Sequence, residues 1–272
     1  MKKKKILIMG LPGPGKTTLA KKFMTFDNLF KPKGDYNLVR CGRDNDGGYL
    51  VSKKTIEETG TLISFGVLDD CSFETQFKKI KSVQIHCYDK TVNKTYWKKR
   101  IYNDIGASLY NLNYSFLKNT FSRYFEFKKF FKDKTNYLTI DTITTGSVKK
   151  ILNNSQSNLP KPFFFKIDIE GSEYRILDEL IEFQNLICGL VIEFHDLDLN
   201  LNKVEKFIKN FNLNLTHIHP NNYGELDFNG NPTVLEMTFE KKPTKISENL
   251  NFPNKYDQSN DLQSKDIALK FE

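Results

Sequence analysis

The chain has 272 residues, of which 39% are apolar and 13% aromatic, enough for one large folded domain or two small ones. Its net charge of +8 raises nucleic acid or an anionic surface as a partner. Nearly all of that charge is lysine, whereas recognition of bases and phosphates prefers arginine, so the composition favours a solvated lysine-rich surface over a nucleic-acid partner.

The first predicted element is a strand, a glycine loop and a helix. GLPGPGKTT, residues 10–18, has the G-x-x-x-x-G-K-[ST] spacing of a phosphate-binding P-loop. Its candidate phosphate-binding residues are Gly10, Gly15, Lys16 and Thr17. Only about ten residues separate this helix from Asp35, too few for the second acidic strand and the sheet of a working nucleoside triphosphatase. We therefore expect a fragment over residues 1–33 that resembles the start of small nucleotide kinases; an ATP-binding, kinase-like protein is the alternative.

Strands and helices alternate from Thr61 onward. TLISFGV and VQIHCYD are predicted as the first two strands, and KRIYNDIGAS as a possible third. The following stretch, residues 108–131, carries aromatic and apolar side chains at near-helical spacing with lysines between them. They are Tyr110, Tyr114, Leu117, Phe121, Tyr124 and Phe131. Such stretches occur in proteins that bind single-stranded nucleic acid, but the regular spacing favours the buried face of a helix.

The strongest strand pattern is PFFFKIDIEG, which is apolar on both faces, as a central parallel strand is. SEYRILDELIEF and NKVEKFIKNF follow as helices, with the buried strand LICGLVIEFH between them. LNLTHIHPNN and TVLEMTFEKK predict a final antiparallel pair. The fold class is thus α/β, an open, mostly parallel sheet with an antiparallel last strand. Residues 242–272 are polar and aperiodic, which predicts a loosely attached tail.

Candidate site residues follow the strands, where open α/β sheets bind ligands. Gly66 and the acidic Asp70 follow the first strand, and Asp89 ends the second. The central strand places Asp168 and Glu170, together with Lys166, on one side of an otherwise apolar run. Burial of ionisable groups costs free energy unless they are paired or functional.

Three histidines lie near the ends of the last predicted strands. Glu193 and His195 stand two residues apart at the end of the fifth strand, and His217 and His219 lie on one face of the next. Their convergence with Asp168 would form a catalytic or metal-binding cluster. We predict Asp168, Glu193 and His195 as candidate ligands, a mixed oxygen and nitrogen set that suits Mg²⁺, Mn²⁺ or Fe²⁺ better than a structural zinc.

These blocks, taken in order, resemble one family. FKIDIEGSEYRIL resembles the signature segment of the FkbM-like methyltransferases, which are Rossmann-like enzymes that use S-adenosylmethionine. RCGRDNDGGYLV, ISFGVLDDCSFE, VIEFHD, HIHPNNYG and PTVLEMTF are similar to other blocks of that family, so the resemblance covers about residues 35–241. The loop SFGVLDD departs from the family pattern because it lacks the repeated glycines.

The resemblance also implies roles for individual residues. Gly66 and its loop, with Asp70, would hold the methionine end of the cofactor, and Asp89 would bind the ribose. Asp168 would also bind the cofactor, and Asp168 and Glu170 would lie beside the reacting centre as catalytic candidates. The resemblance implies a methyltransferase domain over residues 34–241. The family acts largely on hydroxyls of sugars and secondary metabolites, which implies a glycan or small-molecule acceptor.

The step that removes the acceptor proton stays open at this level. Asp168 or His195 could take the proton, or a divalent metal held by Asp168, Glu193 and a histidine could lower the pKa of the hydroxyl. An RNA methyltransferase, or another nucleic-acid-binding protein, is the alternative that the segment 108–131 keeps open.

Cysteine spacing and hydropathy indicate the compartment. Cys41, Cys71, Cys87 and Cys188 are far apart, which argues against a disulfide scaffold and a zinc site. The apolar run after the first lysines is too short for a secretion signal, and no stretch has the length of a membrane span. We expect a cytoplasmic protein; the sequence does not indicate an oligomeric state.

Overall fold

The computed structural model describes residues 25–153, 159–228, 230–250, 252–264 and 266–272. In chain order the strands are β1 (Thr25–Phe26), β2 (Asp35–Tyr36), β3 (Leu38–Gly42), β4 (Gly48–Ser52), β5 (Thr61–Phe65), β6 (Gln84–Tyr88), β7 (Asn136–Thr139), β8 (Phe163–Ile167), β9 (Ile187–Phe194), β10 (Asn214–Pro220), β11 (Leu235–Glu240), β12 (Lys245–Ser247) and β13 (Lys270–Phe271). The α-helices are α1 (Lys53–Glu58), α2 (Ser72–Ile80), α3 (Lys94–Tyr110), α4 (Ser115–Phe130), α5 (Ser147–Leu152), α6 (Leu177–Glu182) and α7 (Leu197–Asn210). The predicted P-loop residues Gly10, Gly15, Lys16 and Thr17 lie outside the described residues, so that motif stays a prediction.

Seven strands form the main sheet, in the order β10-β11-β9-β8-β5-β6-β7. Neighbours among β5 to β9 run parallel, whereas β11 is inserted antiparallel between β9 and β10. The predicted α/β class, with its mostly parallel sheet and antiparallel last strand, is confirmed. No α-helix within these ranges is long and apolar enough to cross a bilayer.

The central strand β8 is held by aromatic packing on both faces. Every residue of β8 is buried. The ring of Phe164 lies 5.1 Å from that of Phe77 on one face, and the ring of Phe165 lies 5.8 Å from that of Phe65 on the other. Burial of one such side chain contributes roughly 1.5–3 kcal/mol. Because helices cover both faces, the strand reads as a continuous apolar run rather than an alternating one.

One predicted strand is wrong. KRIYNDIGAS forms part of the helix α3, and β7 takes the third place in the parallel series. Asn93 caps α3 by accepting hydrogen bonds from the amides of Thr95 and Tyr96, at 2.9 and 3.0 Å. The short strand β7 has only Asn136 buried along it, so it lacks the apolar pattern that makes a strand readable in sequence.

The predicted helix over residues 108–131 is two helices, because the chain turns between α3 and α4. The expected buried face is wrong in part. Tyr110 and Tyr114 are 90% and 71% exposed, and Phe121 is also exposed. The other three predicted positions, Leu117, Tyr124 and Phe131, are half-buried. Helical spacing identified the helix here, but it could not tell which side would be covered.

The segment 242–272 is attached more firmly than a loose tail. β12 pairs with β2, and β13 pairs with β1. Asp257 lies 2.7 Å from Nε2 of His217, and Nδ2 of Asn260 donates to Glu236 at 2.8 Å. These attachments are polar and irregular, so they leave no hydrophobic period in the sequence, which is why the segment reads as disordered.

Glu240, at the end of β11, is a buried carboxyl whose ionisation should affect the stability of the fold. Its side chain is fully buried and accepts a hydrogen bond from the Ser52 amide at 2.7 Å. Burial raises the pKa of Glu240 to about 7, against the smaller opposing effect of that hydrogen bond. When the pKa of a carboxyl is higher in the folded state than in the unfolded state, the protein loses stability as the pH rises from the unfolded-state pKa through the folded-state pKa.

We therefore expect the free energy of unfolding of the wild type to fall by about 2 kcal/mol between pH 5 and pH 8 relative to Glu240→Gln, at roughly 1.4 kcal/mol per unit of pKa displacement. Urea unfolding at both pH values measures this difference. Glu57→Gln, on the exposed face of α1, is the matched control and should follow the wild type. Parallel pH curves for Glu240→Gln and the wild type would contradict the prediction.

Candidate active site

The carboxyl ends of four neighbouring strands meet at one edge of the main sheet. The residues that follow β5, β6, β8 and β9 are Gly66, Asp89, Asp168 and His195. A cavity of about 410 Å³ opens at this edge, and Gly66, Asp89 and Asp168 line it. The structure thus brings these predicted residues to one place, as the parallel register requires.

Gly66 takes a backbone conformation that only glycine accommodates here. Its φ is +77°, and a β-carbon at this position would lie 1.6 Å from the carbonyl oxygen of Asp168. The Gly66 amide donates to Tyr88 at 3.0 Å, and its carbonyl accepts from Nζ of Lys166 at 2.6 Å. The loop after β5 is therefore fixed to both neighbouring strands where it borders the cavity.

The loop after β5 lacks the repeated glycines of the family pattern, and this affects the backbone at Leu68. Leu68 stands in the left-handed region with φ of +42°, a conformation that carries strain in any residue with a β-carbon. Its side chain is exposed and lines the cavity. The loop thus keeps a glycine-like backbone path while presenting an apolar side chain to a ligand.

Asp89 is buried and saturated by hydrogen bonds from its own chain. Oδ2 accepts from the amides of Val67 and Leu68 at 3.1 and 2.8 Å. Oδ1 accepts from the Thr91 amide at 2.7 Å, the Thr91 hydroxyl at 2.5 Å and the Val92 amide at 3.2 Å. Burial alone would raise the pKa of Asp89, but these hydrogen bonds outweigh it and hold the pKa below its usual value.

Asp70 and its neighbour Asp69 line the cavity with their carboxylates already paired. Asp70 lies 2.8 Å from Arg43 and accepts from the Ser72 amide at 2.9 Å, close to the start of α2. Asp69 pairs with Arg100 and Arg123, which belong to α3 and α4. These contacts tie the loop after β5 to the two helices.

Asp168 presents a carboxylate to the cavity. Its Oδ2 lies 3.4 Å from both the Tyr49 hydroxyl and Nζ of Lys166. Its Oδ1 lies 4.0 Å from Nε2 of His195, beyond hydrogen-bond distance. The side chain is 28% exposed. One oxygen is thus held by the protein, while the other remains available to a ligand.

His195 is oriented from behind by a buried carboxylate. Oε1 of Glu173, whose side chain is fully buried, lies 3.2 Å from Nδ1 of His195 and accepts from the His195 amide at 2.7 Å. Nε2 therefore points toward Glu170, 3.5 Å away. Burial disfavours the charged ring, but the hydrogen bond to Glu173 and the charge of Glu193 outweigh it and raise the pKa of His195 to about 9.

One group of candidate metal ligands shares Asp168 and His195 with the predicted set and adds Glu170. Asp168, Glu170 and His195 each offer a ligand atom, and these atoms lie within 4.8 Å of one another. Glu193 instead accepts from Nδ2 of Asn221 at 2.8 Å and from the Tyr49 hydroxyl at 3.0 Å. Glu170 is 86% exposed and has a φ of +51°. Oε1 of Glu193 also lies 3.8 Å from Nε2 of His195, so Glu193 stays a predicted ligand.

His217 and His219 pair with carboxylates of their own. His217 contacts Asp257, and Nδ1 of His219 lies 3.6 Å from Glu236. Both stand on β10, which the inserted β11 separates from β9. The two histidines of β10 therefore belong to buried histidine–carboxylate contacts rather than to the cluster around Asp168.

Sequence reasoning missed Tyr49 and Glu173, which position this site. Tyr49 comes from β4, outside the main sheet, so strand ends could not indicate it. Glu173 follows Asp168 and Glu170 in DIEGSE, and a third acidic residue in so short a stretch was the available signal. Lys166 is a charged residue in an apolar strand, and its hydrogen bond to the Gly66 carbonyl explains its position.

Comparison with known proteins gives a family match. The sequence model of the protein family described as the Methyltransferase FkbM domain matches residues 35–223. No curated protein matches the sequence.

Solved structures with a similar chain course include several methyltransferases. A precorrin-6y C5,15-methyltransferase from Geobacter metallireducens GS-15 is 13% identical with a TM-score of 0.36, over 70% of this chain and 85% of that one. M. capricolum TrmK, in complex with S-adenosyl-homocysteine, is 12% identical with a TM-score of 0.37, over 71% and 67% of the two chains. M. jannaschii TYW2, in complex with AdoMet, is 11% identical with a TM-score of 0.33, over 77% and 89%.

Proposed function

Because the chain belongs to the FkbM-domain methyltransferases, it is a methyltransferase, and we propose that it moves the methyl group of S-adenosylmethionine to a hydroxyl oxygen. One observation carries this proposal. The glycine loop after β5 and the free oxygen of Asp168 face the same cavity. A sulfonium methyl bound along the loop and an acceptor hydroxyl beside Asp168 would therefore meet there.

The cofactor side of the cavity is formed by the loop after β5. Lys166 holds the Gly66 carbonyl, and Asp89 holds the amides of Val67 and Leu68. Asp89 is predicted to bind the cofactor ribose, and its oxygens already accept five hydrogen bonds from the chain. We propose that its main contribution is to fix the loop in the shape that the cofactor needs.

Methyl transfer is a displacement along one line, so alignment of acceptor and methyl supplies much of the rate. Bound S-adenosylmethionine would supply the methyl group: the acceptor oxygen would bond to the methyl carbon as the carbon–sulfur bond breaks, and that electron pair would stay on sulfur. The hydroxyl proton passes to Oδ1 of Asp168. Glu193 is less suited to this role because it is buried and both of its oxygens accept hydrogen bonds.

Asp168, Glu170 and His195 also fit a divalent cation. Two carboxylates and one imidazole suit Mg²⁺, Mn²⁺ or Fe²⁺, and a buried carboxylate behind the imidazole, here Glu173, is the usual support of a metal-binding histidine. When bound, such an ion would lower the pKa of the acceptor hydroxyl. The same three residues would then hold the ion while Lys166 and Tyr49 keep Asp168 in place.

For the acceptor, we propose a sugar, glycan or secondary-metabolite hydroxyl, the class that the family resemblance implies. The cavity mixes carboxylates with apolar side chains such as Leu68 and Ile143. Carboxylates accept hydrogen bonds from hydroxyl groups, and the apolar surface can pack against a ring. A survey of glycosides and phenolic metabolites, with formation of S-adenosylhomocysteine as the readout, tests this choice.

S-adenosylhomocysteine is expected to bind the wild type in calorimetry and to bind Asp89→Ala at least about tenfold more weakly, because two loop amides lose a charged acceptor. Asp178→Asn is the control, since that carboxylate is 88% exposed on α6 and away from the cavity. Absence of binding to the wild type would overturn the proposed function. Equal binding by Asp89→Ala would contradict the proposal that Asp89 fixes the loop after β5 for cofactor binding.

The P-loop alternative is tested in the same titration. Mg-ATP replaces the methyl donor, and Lys16→Ala is compared with the wild type. Binding of ATP alone, lost in Lys16→Ala, would favour a kinase-like activity over the methyltransferase site. Binding of S-adenosylhomocysteine that is untouched by Lys16→Ala would leave the P-loop as a separate feature of the sequence.

A further inference from the structure

The α3–α4 hairpin (residues 94–130) carries an exposed apolar tip. Leu109, Tyr110, Leu112 and Tyr114 surround the turn between the helices and are 63%, 90%, 86% and 71% exposed. Further exposed apolar side chains lie behind the tip on both helices. They are Tyr102, Ile105, Phe116, Phe121 and Phe125. A protruding, contiguous set of this kind marks an interaction surface, whereas single exposed apolar residues do not.

The same hairpin concentrates the positive charge of the chain. It contains six lysines, all exposed, and two arginines, against only Asp104 and Glu126. The hairpin therefore carries +6 of the net +8 of the whole protein. Arg100 and Arg123 are engaged with Asp69, so the lysines provide the outward charge.

This combination discriminates between possible occupants. A second copy of the chain would bring two hairpins of equal positive charge together, which opposes association. Bases of RNA would stack on the aromatic rings of the hairpin, but binding of a single strand leaves the exposed aliphatic side chains of Leu109 and Leu112 in water. An anionic lipid bilayer satisfies both properties, because apolar and tyrosine side chains enter the interface while lysines contact the headgroups.

We propose that the α3–α4 hairpin docks the protein on anionic lipid surfaces, with the tip residues inserted at the headgroup level. This inference does not rest on the proposed function. Docking has a consequence for the active-site cavity, because Arg123 lines that cavity and pairs with Asp69 of the loop after β5. The docked hairpin therefore brings the cavity close to the membrane surface.

The test is flotation of the full chain with vesicles. Vesicles of phosphatidylcholine alone are compared with vesicles that also contain phosphatidylglycerol. A tip variant combines Leu109→Ser, Tyr110→Ser and Leu112→Ser, and a charge variant combines Lys98→Glu and Lys99→Glu. Leu199→Ser with Leu262→Ser is the control, because both leucines are exposed, at 79% and 77%, outside the hairpin.

Binding is expected only to vesicles with phosphatidylglycerol, weakened at least about tenfold in both the tip and the charge variant. The control should bind as the wild type does. Emission of Trp97, the single tryptophan, reports whether the hairpin stays folded, because its ring packs 5.4 Å from that of Phe127.

Several outcomes would overturn the proposal. They are equal binding by the tip variant, an equal loss in the control, and no binding of the wild type to either kind of vesicle. A dimer in solution that the tip variant dissociates, with no vesicle binding, would assign the surface to a second copy. Salt-sensitive binding of single-stranded RNA, without vesicle binding, would assign it to nucleic acid.

Discussion

Gly66→Ala is expected to destabilise the protein by more than about 3 kcal/mol and to abolish cofactor binding, since steric overlap in a buried turn is among the most damaging single changes. The new β-carbon would lie 1.6 Å from the Asp168 carbonyl oxygen, and φ is +77°. Relief would have to move the loop after β5 or the segment after β8. Both border the cavity, so stability and ligand binding should fail together.

Gly146→Ala separates the two causes of this damage. Gly146 also has a positive φ, +92°, but a β-carbon there would meet no heavy atom within 4 Å. It should therefore show only the conformational penalty of about 1–2 kcal/mol. Urea unfolding, followed by Trp97 emission, measures both variants. Similar free energies of unfolding for the two would refute the steric account of Gly66.

Asp168→Asn is expected to lower the turnover number by about 10²–10⁴-fold while leaving the affinity for S-adenosylmethionine within about threefold. Asparagine keeps the shape of the side chain and its contact with Tyr49, but it cannot take up the acceptor proton. Initial rates with an acceptor from the hydroxyl survey, together with calorimetry, measure the two quantities. Asp178→Asn should match the wild type, and an Asp168→Asn enzyme that keeps more than about a tenth of its activity would exclude the proposed proton transfer.

Glu170→Gln and a chelator distinguish the two ways in which Asp168 can act. If Asp168 alone accepts the proton, loss of the exposed Glu170 carboxylate and addition of a chelator should change the rate little. If the three residues hold a divalent cation, both treatments should lower the rate, and added Mn²⁺ should restore only the chelated wild type. Either outcome is compatible with methyl transfer. The comparison shows whether Asp168 alone or a bound cation activates the acceptor hydroxyl.

The central strands and the positions of several site residues could be read from the sequence. PFFFKI and LICGLVIEF are apolar along their whole length, so they predicted the buried parallel strands β8 and β9. Parallel strands end at one edge of a sheet, so Gly66, Asp89, Asp168 and His195 could be expected together. Local pattern and one rule of topology sufficed for this part of the site.

Other features depended on contacts between distant segments. KRIYNDIGAS has no pattern that separates a strand from a helix, and the cap at Asn93 and the packing of Trp97 decided for α3. Likewise, the apolar spacing from Tyr110 onward marks helices, but only the tertiary structure left that surface uncovered. The polar attachments of residues 242–272 have no period at all and could not be read in advance.

The sequence by itself determined the alternation of strands and helices outside the α3–α4 region, the mostly parallel sheet with its antiparallel last strand, and the family. These follow from local periodicity and from residue blocks in a fixed order. Only the tertiary structure decided that Glu170 joins Asp168 and His195 as a candidate ligand, and that Tyr49 and Glu173 position them. Side-chain direction at a strand end depends on backbone turns such as the one at Glu170. Which groups face each other across the sheet is a property of packing, which no local pattern encodes.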